Sequence, residues 1–320
     1  MKFVTDIIGK ELKTFEGKFS DAVKSQTPLL DRIMKYIIKR KGKQLRPMFV
    51  FLSARLHGEV NESTYRAAAL VEMLHTATLV HDDVVDESFE RRGFFSINAV
   101  WKNKIAVLVG DYLLSKGLLL STTNEDFQHL HILSDAVRQM SEGELMQIEK
   151  SRKLNLDENI YFEIIRNKTA SLLSSACAVG AYSATGSKEV SDQMKLFGEK
   201  VGIAFQIKDD LFDYGTADVG KPTGNDIQEK KLTLPLIFTL NKVDKSTKKE
   251  LIYIIKNQNR DKKKVQQVID VVVREGGIRY AEERMLRYRD EALEILHLSP
   301  PSPVRAALEE LVRYTTDRKY

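Results

Sequence analysis

Cysteine, tryptophan and proline are scarce in this chain, whose 320 residues include one cysteine, one tryptophan and seven prolines. Because a disulfide needs two cysteines, Cys177 cannot form one within the chain, which excludes the disulfide-rich class of small secreted domains. The first residues contain no apolar segment followed by a small-residue cleavage site. These absences predict a protein of the reducing cytoplasm.

The sequence also lacks an uninterrupted apolar run of the ~18 residues that a helix needs to span a bilayer. We therefore expect a soluble chain with at most peripheral contact to a membrane. The formal net charge of +5 is modest for the length. Such a charge is compatible with an anionic small substrate, and it does not predict nucleic-acid binding.

Amphipathic helical patterns, by contrast, run through the whole chain. Apolar residues make up 42% of the sequence and only 17 residues are glycine, a composition typical of a folded, mainly helical protein. From Val4 to Val23, apolar side chains recur every three or four residues, which predicts the first helix. Similar segments continue to Arg318 without a strand pattern or a Ser-rich linker. We expect an all-α fold, a large helical bundle around a central cavity, formed by one domain over residues 1–320.

The stretch from His75 to Arg92 carries three aspartates at the end of an otherwise apolar helix. Asp82 and Asp86 are four residues apart, so they share a helix face, and Asp83 lies beside them. Carboxylates clustered in this way repel one another unless a cation lies among them. In proteins, Mg²⁺ is held by one or two carboxylates together with water and the phosphate oxygens of a substrate. This helix end is therefore a candidate metal site.

A second aspartate cluster, Asp209, Asp210 and Asp213, repeats this spacing at the end of another apolar helix. One cluster could arise by chance on a solvated face, whereas two predict a cage in which divalent cations bind a diphosphate. The cations would withdraw charge from the bridging oxygen and make diphosphate a leaving group. Basic residues beside the clusters, or in loops that could reach them, would bind the phosphate oxygens. They are Lys43, Arg46, Arg91, Arg92, Lys168, Lys221, Lys230 and Lys231.

Six motifs, in this order and spacing, resemble those of the head-to-tail trans-isoprenyl diphosphate synthases, or polyprenyl synthetase family, of the long-chain octaprenyl and solanesyl type. They are Gly42-Lys-Gln-Leu-Arg-Pro47, His75 through Asp86 with Arg91-Arg92, Gln147 in Gly-Glu-Leu-Met-Gln, Lys168-Thr169, Phe205-Gln-x-x-Asp-Asp-x-x-Asp213, and Gly220-Lys-Pro-Thr-Gly-Asn-Asp226 followed by Lys231. The resemblance covers essentially the whole chain. One small departure is Lys41-Gly42, where the family often has two glycines.

The resemblance implies the isoprenoid synthase fold and a prenyltransferase that uses about three Mg²⁺ ions per site. The implied metal ligands are Asp82, Asp83, Asp86, Asp209, Asp210 and Asp213. The first five of these and Lys168 would be the catalytic residues. The positions that match contacts to the allylic prenyl diphosphate are Arg91, Lys168, Thr169, Gln206, Lys221 and Lys231. Those that match contacts to isopentenyl diphosphate are Lys43, Arg46, His75 and Arg92.

The reaction implied by the resemblance begins with ionisation of the allylic diphosphate to a carbocation. The double bond of isopentenyl diphosphate then attacks the carbocation, a proton is lost, and the cycle repeats several times. Relatives of this kind are typically homodimers, so a homodimer is expected here as well.

Product length is expected to depend on the residues one helical turn before the first aspartate cluster, which are Ala77 and Thr78. Short-chain members of the family tend to carry aromatic residues there, or an insertion within the cluster, and this sequence has neither. The resemblance therefore implies a long all-trans product, such as the precursor of a quinone side chain. A farnesyl or geranylgeranyl diphosphate synthase is the shorter-chain alternative.

Two alternatives belong to other functional classes. A non-catalytic subunit of a heteromeric synthase would have lost its aspartates, whereas both clusters are complete here. A metal-dependent phosphohydrolase is suggested by His75 and the His81-Asp82 pair. It would need further histidine ligands, and the other four histidines lie outside the motifs: His57, His129, His131 and His297. Alone, His75 would be interpreted as a core histidine; the motif around it favours a binding role.

Overall fold

The computed structural model describes residues 1–39, 42–91, 94–154, 157–215 and 224–318, and over these ranges the predicted all-α class is confirmed. The helices are α1 (Lys2–Ala22), α2 (Pro28–Lys39), α3 (Leu45–His57), α4 (Glu62–Val85), α5 (Ile97–Thr123), α6 (Phe127–Lys153), α7 (Glu158–Ile165), a π-helical turn (Arg166–Ala170), α8 (Ser171–Thr185), α9 (Lys188–Phe212), α10 (Asn225–Gln228), α11 (Leu234–Lys242), α12 (Lys245–Asn257), α13 (Lys262–Arg274), α14 (Gly277–Leu296) and α15 (Pro303–Asp317).

One antiparallel strand pair, β1 (Glu90–Arg91) with β2 (Phe94–Phe95), departs from the helical pattern. The sequence did not predict it, because strands of two residues are too short to show an alternating pattern. Packing within the chain defines two compact units. Unit 1 comprises Met1–Val137, Ser175–Lys195 and Pro301–Leu308, and unit 2 comprises Arg138–Ser174, Leu196–Pro300 and Glu309–Tyr320.

In unit 1, α4 carries the first aspartate cluster at its C-terminal end. The sequence predicts Asn61 or Ser63 as the cap of this helix, and the structure has Asn61, whose side chain accepts the backbone N–H of Thr64 in a capping box. Two glycines let α5 approach α4 closely. A Cβ added at Gly117 would lie 2.8 Å from Leu70, and one at Gly110 would lie 2.0 Å from the His81 ring nitrogen. These glycines therefore fix α5 beside the aspartate-bearing half of α4.

Helix α5 is apolar on its exposed face as well as its buried one. Its most apolar window has a mean hydropathy of 1.4 and is 33% buried; within the described ranges it is the one helix long and apolar enough to cross a membrane. Core helices of soluble proteins share that property. The exposed apolar side chains of α5 are Val100, Val107, Leu108, Leu118 and Leu119.

In unit 2, the π-helical turn interrupts the predicted boundary between two helices at residues 167–169. Glycines from two other helices lie against it. A Cβ added at Gly143 would lie 2.9 Å from the backbone nitrogen of Lys168, and one at Gly202 would lie 2.5 Å from the Ala170 Cα. A π turn shifts the side chains that follow it relative to a regular α-helix, and such turns are frequent at functional sites. This turn places Lys168 and Thr169.

Helix boundaries differ from the sequence predictions in two instructive places. The sequence predicts Pro47 at the first position of the helical segment Met48 to His57. Helix α3 begins at Leu45, so Pro47 is its third residue; a missing N–H costs nothing anywhere in the first turn. The apolar pattern predicts a helix over Lys104–Ser121; α5 adds a short segment from Ile97, which Ser96 caps by accepting the N–H of Ala99, and a kink at Lys102 (φ 74°) separates this segment from the predicted helix. The predicted loop 215–226 lies mostly outside the described residues, and its last residues begin α10.

Candidate functional site

The first aspartate cluster lies at the C-terminal end of α4 in unit 1, and its three side chains have different surroundings. Asp82 is half-buried and Asp86 is exposed, so both reach solvent from the shared helix face. Asp83 is buried, with 3% of its surface exposed, and its backbone oxygen accepts a hydrogen bond from Asn98 Nδ2 at 3.0 Å. Asp82 and Asp86 are therefore the more accessible carboxylates of this cluster.

Unit 1 contains a largely apolar cavity of about 990 Å³, including its open mouth, next to this cluster. Asp83 and His75 line it together with aromatic side chains such as Phe15 and Phe94. His75 is 9% exposed, and its Nε2 lies 2.9 Å from Arg46 Nη1. The fold thus brings together two of the residues predicted to bind isopentenyl diphosphate.

The two residues predicted to set product length are held within α4. Ala77 is completely buried, and Thr78 donates its hydroxyl to the His75 backbone oxygen at 2.9 Å. In the described part of unit 1, neither residue lines the cavity beside His75. Their role in limiting product length stays a prediction.

The second aspartate cluster lies at the C-terminal end of α9 in unit 2, and each of its carboxylates is anchored by a different segment. Asp210 is held from two sides. Tyr161, on α7, donates its phenolic hydrogen to Asp210 Oδ2 at 2.7 Å, and Gln206 Nε2 donates to Oδ1 at 2.8 Å. Gln206 in turn accepts the Thr169 hydroxyl at 2.6 Å. Two residues predicted to bind the allylic substrate therefore belong to the network around Asp210.

Asp213 is anchored by the start of α10. Its Oδ1 accepts the backbone N–H of Asn225 at 2.8 Å, and its Oδ2 accepts that of Asp226 at 3.1 Å. This arrangement gives Asp213 a structural task as the cap of α10. Since an ionised carboxylate offers about four acceptor positions, these two bonds leave acceptor capacity for a cation.

Asp209 is anchored by the C-terminal segment of the chain. Arg318 Nη2 donates to Asp209 Oδ1 at 2.5 Å. The Arg318 side chain is 15% exposed and that of Asp209 is 39% exposed, so the ion pair is partly shielded from water.

Burial and mutual repulsion raise the pKa values of carboxyl groups in and beside this second cluster. Burial, followed by repulsion from Asp226, raises the pKa of Asp210 to about 7. Burial and repulsion from Asp213 likewise raise the pKa of Asp226 to about 6, and burial raises the pKa of Asp213. A bound cation would stabilise the ionised form of each group and oppose this repulsion.

The donor set fits a hard divalent cation. Among the described residues, no three His, Cys, Asp or Glu side chains already converge on one metal position. Mg²⁺ requires only one or two carboxylates, because water and substrate phosphate oxygens complete its coordination shell. Carboxylates that are desolvated and repel one another are therefore suitable partners for this ion.

Unit 2 contains a cavity of about 990 Å³ in which these carboxylates meet cationic side chains. Its polar lining includes Asp209, Asp210, Asp226, Lys168, Thr169, Gln206 and Lys231. Its apolar lining includes Ile160, Ile164, Ile165, Leu232 and Ile237. Four residues predicted to contact the allylic substrate thus line one cavity together with two of the predicted metal ligands.

Two lysines of this cavity, Lys168 and Lys231, are paired with carboxylates. Lys168 forms an ion pair with Glu144 and lies 3.4 Å from Gln147 Oε1. Lys231 Nζ lies 2.5 Å from Glu229 and 3.8 Å from Asp226. A diphosphate that enters this cavity would replace these carboxylates as the partner of the two ammonium groups.

Other predicted residues are exposed or lie beyond the described ranges. Lys43 is exposed. Arg92 and Lys221 lie outside the described residues, and only the backbone of Arg91 is described.

Three residues of the unit 2 site were given no role from the sequence: Tyr161, Asp226 and Arg318. Asp226 has a local signal, because it ends the sixth motif. Tyr161 occupies an ordinary helical position, and Arg318 is 109 residues from Asp209. The sequence therefore does not distinguish Tyr161 from a packing residue or Arg318 from a surface residue.

Comparison with known proteins agrees with the site. The polyprenyl synthetase family matches residues 27–272. The all-trans-nonaprenyl-diphosphate synthase (geranyl-diphosphate specific) of Rhodobacter capsulatus is 35% identical over 317 residues, which cover 97% of this chain and 96% of that protein.

Two solved structures extend this agreement to the fold. The polyprenyl synthase of Caulobacter crescentus CB15, complexed with calcium and isoprenyl diphosphate, superimposes with a TM-score of 0.91 at 31% identity and covers 100% of this chain and 98% of that one. The geranylgeranyl pyrophosphate synthase of Bacteroides thetaiotaomicron gives a TM-score of 0.84 at 35% identity, covering 99% and 98%. The isoprenoid synthase fold expected from the motifs is confirmed, and this chain belongs to the polyprenyl synthetase family.

Proposed function

We propose that this chain is a Mg²⁺-dependent head-to-tail prenyltransferase that condenses isopentenyl diphosphate with an allylic prenyl diphosphate. The observation that carries the proposal is the composition of the unit 2 cavity. Its lining combines two aspartates, Asp209 and Asp210, with Lys168, Lys231 and several apolar side chains. Carboxylates alone would suit a cation and lysines alone would suit an anion. Their combination suits a metal diphosphate whose hydrocarbon part contacts the isoleucines.

In this mechanism the aspartates would hold about three Mg²⁺ ions, which would supply Lewis-acid stabilisation of the departing diphosphate. The proposed ligands are Asp82, Asp83 and Asp86 of unit 1, and Asp209, Asp210 and Asp213 of unit 2. The side chains that orient the allylic diphosphate are Lys168, Thr169, Gln206 and Lys231, with Arg91 and Lys221. The apolar lining keeps water from the carbocation, which water would otherwise capture to give an alcohol.

The second substrate would be bound in unit 1. Arg46 and His75 lie 2.9 Å apart beside the apolar cavity, and together they offer hydrogen-bond donors to the diphosphate of isopentenyl diphosphate. Lys43 and Arg92 belong to the same predicted group. Proton loss after condensation is assigned to the released diphosphate.

The proposed product is a long all-trans polyprenyl diphosphate, the precursor of a quinone side chain. Small residues at Ala77 and Thr78 support this, as does the nonaprenyl product named for the relative from Rhodobacter capsulatus. A shorter-chain product is the second candidate, because the geranylgeranyl pyrophosphate synthase of Bacteroides thetaiotaomicron is equally similar, at 35% identity.

We further infer that the enzyme forms a single cytoplasmic catalytic domain over residues 1–320 and works as a homodimer. The exposed apolar face of α5 supports the dimer: Leu108 is 55% exposed and Leu119 is 61% exposed, and they lie about three turns apart on one helix face. A second copy of the same helix would bury such a stripe, which is otherwise costly in water.

One assay tests the proposed function against its rivals. The purified chain is incubated with Mg²⁺, farnesyl diphosphate and radiolabelled isopentenyl diphosphate, and the lipid products are separated by chain length. Elongated prenyl diphosphate is the expected product. Inorganic phosphate without elongation would identify a phosphohydrolase, and activity only after addition of another subunit would identify a heteromeric synthase.

A further inference from the structure

Arg318 lies in a site built by one face of α9. Phe205, Asp209 and Phe212 are spaced by four and three residues, so they share a stripe along that helix. The guanidinium carbon of Arg318 lies 4.0 Å from the Phe205 ring centroid and 5.3 Å from that of Phe212. Its Nη2 donates to Asp209 Oδ1 at 2.5 Å. The C-terminal arginine thus covers the stripe that carries the first aspartate of the second cluster.

Most of the contacts that hold this guanidinium do not involve Asp209. Arg318 Nε donates to the Thr315 backbone oxygen at 3.2 Å, and Nη2 also reaches the Phe205 backbone oxygen at 3.5 Å. A planar guanidinium stacks well on an aromatic face, which a lysine ammonium does less effectively. The position of the Arg318 side chain is therefore fixed independently of the carboxylate that it contacts.

We propose that Arg318 is a positioning residue that orients the Asp209 carboxylate for the divalent cation. This inference rests on the proposed function, since it takes Asp209 as a metal ligand. Partners that hydrogen-bond a ligating carboxylate fix its orientation, and their loss typically lowers metal affinity about 10- to 100-fold.

An opposite effect, in which the guanidinium competes with the cation, is disfavoured by the geometry. Competition would require Arg318 to leave Asp209, yet two aromatic rings and two backbone oxygens hold it in place. These contacts therefore favour orientation of the Asp209 carboxylate by Arg318 over competition with the cation.

The test measures the Mg²⁺ concentration at the midpoint of the increase in melting temperature that Mg²⁺ produces. Arg318→Gln should raise this midpoint about 10-fold or more. Arg318→Lys should recover part of the loss, because it retains the charge but not the planar stack. Arg313→Gln is the matched control, since Arg313 is an exposed arginine of α15, the helix that ends just before Arg318; its midpoint should equal that of the unchanged chain.

The outcomes separate this inference from the proposed function. Asp209→Asn should raise the midpoint at least as much as Arg318→Gln does. If Asp209→Asn raises it and Arg318→Gln leaves it unchanged or lowers it, the positioning role is overturned while the metal site stands. If Mg²⁺ does not stabilise the unchanged chain, or if Asp209→Asn binds Mg²⁺ normally, the metal assignment itself fails. Urea unfolding without Mg²⁺ identifies any variant whose fold is damaged.

Discussion

Tyr161 donates a 2.7 Å hydrogen bond to Asp210, although both side chains are buried and the carboxylate lies among other carboxylates. The pKa of Asp210 is raised to about 7, first by burial and then by repulsion from Asp226. The phenol opposes that rise, because it donates to the ionised form. Tyr161 therefore favours the ionised form of Asp210, whereas burial and repulsion favour the protonated form.

Tyr161→Phe should lower kcat/KM for condensation about 10-fold, because Asp210 loses the donor that fixes its Oδ2. Tyr214→Phe is the matched control: Tyr214 is equally buried, but its hydroxyl contacts Thr233 at 2.5 Å and not an aspartate. Each variant should lose about 1 kcal/mol of unfolding free energy in urea. Equal losses of activity in the two variants would contradict a specific role for Tyr161.

Asp82→Ala and Asp209→Ala should each reduce turnover about a thousandfold or more, since each removes a predicted metal ligand. Circular dichroism and urea midpoints should show an intact fold, because both side chains are partly exposed. Asp192→Ala provides the control, as Asp192 is an exposed aspartate on the same helix as Asp209. A fully active Asp209→Ala variant would remove that residue from the mechanism.

Ala77→Phe should shorten the product by blocking the path of the growing chain. Because Ala77 is completely buried, the larger side chain should also cost about 1 to 3 kcal/mol of stability. Ala77→Val serves as a graded control, with a smaller shift in chain length. Thin-layer chromatography of the radiolabelled products gives the lengths; an unchanged distribution from a folded Ala77→Phe variant would show that the limit lies elsewhere.

Stability at low pH should depend on Asp126, which joins α4 to α6 in unit 1. Burial alone would raise its pKa, but hydrogen bonds from Arg66 and Ser63 leave the pKa below its ordinary value. Since the pKa in the folded state is lower than in the unfolded state, the ionised aspartate stabilises the fold above about pH 4. That stabilisation is lost as the pH falls through the folded-state pKa.

Asp126→Asn tests this linkage, because asparagine has nearly the same shape as aspartate but carries no charge. The variant should lose about 1 to 3 kcal/mol of unfolding free energy at neutral pH. The difference from the unchanged chain should shrink in urea titrations at progressively lower pH. A difference that stays constant with pH would show that the ion pair with Arg66 contributes nothing to stability.

Leu108→Lys and Leu119→Lys, made together, should convert the proposed homodimer into a monomer. Both leucines are exposed on α5, and charged ammonium groups would prevent burial of the apolar stripe. Light scattering after size exclusion measures the mass. Lys245→Glu on α12 is a surface control, and a monomeric unchanged chain would reject the dimer directly.

Much of the fold could be predicted because it depends on local patterns. The periodic apolar residues predict a helix from Gly277 to Leu296, which is the observed range of α14, and Asn61, one of the two predicted caps, precedes α4. The short segment of α5 before its kink at Lys102 and the π-helical turn could not be predicted in the same way. Ser96 caps α5 through one weak hydrogen bond, and the π turn lies against glycines from two distant helices.

By itself, the sequence determined the all-α class, the family and the identity of the aspartates, because helix periodicity and motif spacing are written in neighbouring residues. Only the tertiary structure decided what holds each aspartate of the second cluster. Tyr161, the start of α10 and Arg318 come from three separate stretches of the chain, and they meet Asp210, Asp213 and Asp209 only through packing. Burial and mutual repulsion depend on distance in space and not on distance along the chain, so the raised pKa values of this cluster follow from the fold.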